Sequence, residues 1–134
     1  MIAAGFRYFA IIFAAGFVLG TIRTLWLAPA LGATAAVSIE LPLMVLVSWL
    51  TAAAILRRAP GLSRAAATGA GLLAFALLMI AEAALAVVAF GMSFTVWLTS
   101  LGRMPGSIGL AGQIVFALIP SIVRRRLARR VPRY

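Results

Sequence analysis

The chain has 134 residues, 65% of them hydrophobic, with a mean hydropathy of +1.16 and a formal net charge of +10. A soluble domain is about 45–50% apolar, and one core of this size cannot hide so much apolar surface from water, so lipid is the expected solvent. His and Cys are both absent, so the chain alone cannot hold a zinc ion, an iron–sulfur cluster or a His-ligated haem, nor build a Ser-His or Cys-His nucleophile pair; no cofactor is expected.

All basic residues are Arg, and the acidic side chains are Glu40 and Glu82 alone. An all-Arg, Ala-rich chain suggests a GC-rich genome. A basic balance can signal nucleic-acid binding. Here most of the Arg flank apolar runs, which assigns them to a membrane instead, so no nucleic-acid partner is expected.

Four apolar runs follow one another, each close to the roughly 20 residues that cross a hydrocarbon core as a helix. The fold class expected is all-α: four transmembrane helices in a compact bundle, forming a single domain over residues 1–134. The first run covers about 5–28 and meets Pro29, where a helix is expected to stop. It contains Gly16 and Gly20, a spacing that lets helix backbones approach closely. Span one also has a rival reading as a cleaved leader ending at the small residues Ala33 to Ala35. Arg23 and Trp26 would then interrupt the leader before its cleavage site, which argues against it.

The second run covers about 35–56 and the third about 66–90. The stretch 94–101 is too short to cross again; it reads as an interfacial helix, with a re-entrant loop as the alternative. Trp26 and Trp97 are expected in an interfacial aromatic belt, while Trp49 fits either belt or packing. The fourth run, about 107–123, is the shortest, and a basic tail at 124–134 follows it.

Arg placement predicts orientation. Arg57, Arg58 and Arg64 lie between spans two and three, and Arg124, Arg125, Arg126, Arg129, Arg130 and Arg133 follow span four. With Arg7 at the start of span one, these segments share one side of the membrane. The positive-inside rule makes that side, and both termini, cytoplasmic in an inner (plasma) membrane of bacterial type. The same Arg residues are the expected anchors to anionic lipid headgroups.

Three charges interrupt the apolar runs: Arg23, Glu40 and Glu82. At about 1.5 Å per residue, they lie roughly 27, 24 and 24 Å up their spans from the cytoplasmic ends. Charges at that depth are costly alone and are expected to pair. Arg23 and Glu40 face each other across a helical hairpin, which predicts an ion pair. Pro42 frees a carbonyl one turn earlier, a second acceptor for the guanidinium. Glu82 is left to share Arg23, to take Arg103 from the opposite loop, or to hold a proton. Gln113, roughly 15–17 Å up span four, is expected to bridge helices near mid-membrane.

Catalysis is disfavoured, because the chain also lacks Lys and Asp. Two classes remain. The first is a non-enzymatic accessory or assembly partner of a larger membrane complex, its bundle organised by the Arg–Glu network. The alternative is a small oligomeric proton- or cation-linked transporter or channel using Glu82 or Glu40. The accessory reading ranks slightly ahead because no conduit is legible in the sequence.

Overall fold

A segment that crosses lipid must satisfy its backbone N–H and C=O groups internally, and a helix does this within one segment. The computed structural model describes residues 1–130 and 132, and the regular elements among them are helical. We number them α1 (Ile2–Leu31), α2 (Ala33–Arg57), α3 (Arg64–Ala89), α4 (Phe94–Ser100) and α5 (Gly106–Arg129). Helices α1, α2, α3 and α5 are long and apolar enough to span a membrane.

Pro29 does not end the first span, contrary to expectation. Arg23–Leu27 forms a π-helical turn in which the Ala28 N–H donates to the Arg23 carbonyl, five residues back. Pro29 then falls in the first turn of the resumed α-helix Ala28–Leu31, where its missing N–H and fixed φ are tolerated. The stop comes at Gly32, whose φ of +88° few side-chain-bearing residues would adopt. Helix α2 starts at the next residue.

Helix α3 starts at Arg64, slightly before the apolar run, because Ser63 caps it: the hydroxyl accepts from the Ala66 N–H at 3.0 Å. It closes with a second π-helical turn, Leu85–Ala89. Residues 94–100 form a short helix capped by Ser93, whose hydroxyl accepts from the Val96 N–H at 3.1 Å.

Helix α5 also departs from the expected bounds. It continues six residues past Val123, so the first half of the basic stretch is helix and not free tail. Arg, Leu and Ala are strong helix formers, and nothing in that stretch interrupts the ladder. Arg133 lies outside the described residues.

Helix α1 packs on α2 and α3, and α5 packs on the same two. The buried core lies toward the Arg-rich end, where Tyr8, Ile12, Leu56, Ala67, Ile119 and Val123 pack together. Two devices close this half. Gly71 admits the α5 backbone so closely that a Cβ there would fall on the Ala117 carbonyl oxygen. Pro120 has no N–H, so the Phe116 carbonyl loses its helical donor. The Tyr8 hydroxyl donates to that oxygen at 2.8 Å, and its ring stacks on Phe116 with centroids 4.4 Å apart.

Many large apolar side chains face outward, among them Phe17, Leu46, Leu72 and Ile80. Where lipid is the solvent, such exposure costs nothing. Apolar side chains therefore drive these helices into the membrane, while small residues and polar bonds hold them to each other.

Candidate functional site

Toward the end opposite the Arg-rich one, the packing opens into a cavity of about 820 Å³. Gly16 and Gly20 on α1 and Gly106, Gly109 and Gly112 on α5 all line it. Three of these glycines, Gly16, Gly20 and Gly109, leave room there, whereas a Cβ on Gly106 or Gly112 would fall on the Ser100 carbonyl oxygen or the Leu41 side chain. Gly16 and Gly20 thus make no close helix seam: a Cβ on either would meet only a side-chain atom at 3.5–3.6 Å. Deep in the cavity lie Ile12, Ser48, Leu78 and Phe116, which are buried; Phe90, Trp97 and Pro105 line its other end.

Four polar side chains enter this space at one level. Arg23 lies eight residues before the end of α1, Glu40 seven after the start of α2, Glu82 seven before the end of α3, and Gln113 seven after the start of α5. At about 1.5 Å per residue, each is roughly 10–12 Å from its helix end. The sequence count placed Gln113 lower because it started from Val123, the end of the apolar run, whereas the helix runs on to Arg129. Counting from Gly106 puts it in the charged layer.

Arg23 Nη1 donates to Glu40 Oε2 at 2.7 Å. The ion pair is unevenly covered: the Arg23 side chain is 34% exposed and Glu40 only 12%. Glu82 Oε1 accepts from Gln113 Nε2 at 2.6 Å, linking α3 to α5. The Arg23 ion pair is with Glu40, not Glu82. The Oε1 of Gln113 is buried and has no hydrogen-bond partner among the described residues. The layer thus holds two carboxylates, one guanidinium and one amide with an unused acceptor.

Other expected contributors lie elsewhere. Arg103 is exposed beyond the layer and makes no salt bridge among the described residues. Pro42 does not line the cavity. The carbonyl it frees is that of Ser38, and the guanidinium hydrogen bond goes to Glu40 instead. The strong acceptor outcompetes the weak one, since a charge-assisted bond is roughly twice as strong as a neutral one.

Trp97 differs from its expected belt position. It is 9% exposed and packs beside Phe94, centroids 5.7 Å apart, at the cavity end. The reason is α4: a helix starts at Phe94, and its contacts are to the π-helical turn of α3, which turns the indole inward. Trp26, 66% exposed, is free to contact lipid.

At the Arg-rich end, Arg57, Arg58, Arg64, Arg125, Arg126, Arg129 and Arg130 are exposed. Arg124 is half-buried and donates to the Pro60 carbonyl. The Arg126 guanidinium lies 5.2 Å from the centre of the Trp49 ring, a cation–π contact that gives Trp49 a packing role.

No family model, no curated protein and no solved structure matches this chain.

Proposed function

We propose that the protein is a non-enzymatic, multi-pass carrier of a bacterial-type inner membrane. Both termini are cytoplasmic, the four long helices form a compact bundle, and the cavity takes a small amphipathic cation in exchange for a proton on Glu82. One observation carries the reading: a cavity of about 820 Å³ holds two carboxylates against one guanidinium. That volume lies within the range of small-molecule sites, about 300–1,000 Å³.

The charge count supports exchange. Arg23 offsets Glu40, so Glu82 alone sets the net charge of the layer. With Glu82 ionised the layer carries one negative charge; with Glu82 protonated it is neutral. A cation and a proton then compete for one carboxylate, the minimum element for coupled movement. Apolar walls suit the rest of an amphipathic molecule.

The accessory-subunit reading rested on the lack of a conduit. The cavity supports the carrier reading over it, because one copy already contains a lined space next to the charged layer. In this reading the buried core at the Arg-rich end closes the cavity on that side.

The test uses purified protein in proteoliposomes with an entrapped pH dye and tetraphenylphosphonium as the probe cation. The parent is expected to release protons when the probe enters, and Glu82→Gln to abolish the release while its circular dichroism stays unchanged. No flux in the parent, or equal flux in the folded variant, removes the reading. Orientation is checked separately: the chain has no Cys, so Ser63→Cys should react only with cytoplasmic-side maleimide and Gly102→Cys only with the opposite side.

A further inference from the structure

The Arg-rich end contains a second cavity, about 870 Å³, that the charged layer does not touch. Arg64 at the start of α3 and Arg124, Arg125 and Arg129 near the end of α5 line it, with Gly61, Leu62 and Ser63. Two helices far apart in sequence thus bring four arginines to the wall of one space. Arg124 is held in place by its bond to the Pro60 carbonyl. The start of α3 also lies at this space, with the Ala66 N–H already taken by the Ser63 hydroxyl.

No side-chain carboxylate of this chain can neutralise the cluster. Glu40 and Glu82 are the only two, and both lie in the layer toward the other end. Four like charges lining one pocket repel each other, and an anion held among them relieves that repulsion. Guanidinium forks match the oxygens of phosphate, often in bidentate pairs. Diffuse attraction to a lipid surface needs only exposed Arg, as at Arg57 and Arg58. Convergence on a cavity is a different arrangement, one that selects a ligand.

We propose that this pocket is a binding site for one phosphate-bearing anion of at least two negative charges, supplied by a lipid headgroup or by a soluble phosphate compound. The site is independent of what the central cavity carries.

Native mass spectrometry on the full chain in mild detergent tests it, with cardiolipin, phosphatidylcholine and inorganic pyrophosphate as probes. Two charge-matched variants are compared: Arg64→Gln/Arg129→Gln inside the pocket and Arg57→Gln/Arg58→Gln outside it. All four side chains are exposed, and Arg124 keeps its bond to Pro60 in both. The parent is expected to retain one anion per chain and no phosphatidylcholine. The pocket variant should lose at least tenfold in retention, the outer variant less than twofold. Cardiolipin retained against excess pyrophosphate identifies a headgroup site; pyrophosphate bound and displacing cardiolipin identifies a soluble ligand. Equal losses in the two variants, or no retained anion in the parent, overturn the proposal.

Discussion

Removing the Arg23 guanidinium strands a carboxylate, and the cost can be worked from the geometry. Glu40 is 12% exposed, and its ion-pair partner at 2.7 Å is Arg23. Taking one member from a buried ion pair costs about 3–5 kcal/mol, because the survivor is left uncompensated. Arg23 itself is 34% exposed, and the adjoining cavity can hydrate what remains. The lower end therefore applies, and Arg23→Ala should destabilise the protein by about 3 kcal/mol. Glu40→Gln leaves the more exposed partner alone, which can reach water in the cavity, and should cost less, about 1–2 kcal/mol. Equilibrium unfolding in mixed micelles by sodium dodecyl sulfate titration, read by tryptophan fluorescence, gives each free energy. The double variant should cost less than the sum of the two single variants by about 1–3 kcal/mol, the coupling expected of residues in contact. Additive single costs would mean that the two side chains do not share an ion pair in the folded protein, and the account of the charged layer would fail with them.

Tyr8→Phe keeps the ring stack but leaves the Phe116 carbonyl without its donor; the expected loss is about 1–3 kcal/mol by the same titration. Pro120→Ala restores a helical N–H to that carbonyl, so Tyr8→Phe made on this background should cost markedly less; an equal cost would refute the link between Tyr8 and Pro120. Gly71→Ala pushes α3 off the Ala117 carbonyl and should destabilise by about 1–3 kcal/mol, whereas Gly109→Ala, with open space at its Cβ position, should be close to neutral. In liposomes, bromine-labelled lipid should quench Trp26 and leave Trp97 largely untouched, a contrast read from single-Trp variants. Equal quenching would place Trp97 at the lipid face.

Composition and the length of the apolar runs were enough to read four helices able to span a membrane, because lipid imposes a backbone rule that leaves few alternatives. The ends were harder. Pro29 reads as a stop, yet a π-helical turn one step earlier absorbs it, and that turn has no signature of its own in Arg23–Leu27. The Arg run after Val123 reads as tail because apolarity ends there, but helix propensity does not end with it.

The charged layer was partly legible. Arg23, Glu40 and Glu82 stand out in any apolar run, and helix rise alone sets them at similar depths. Gln113 required the right end to count from: the expected start near 107 lies one residue from Gly106, while the expected end at 123 falls six short of Arg129. The cavity was not legible at all. Glycine spacing is the same whether the missing side chains let two helices touch or leave a space between them. Neighbours decide which: Gly71 meets the Ala117 carbonyl, while Gly16 and Gly20 face the open layer. Solvent preference is a sum over single residues and can be read along a chain, whereas packing and ion pairing depend on what stands opposite, which only the tertiary structure supplies.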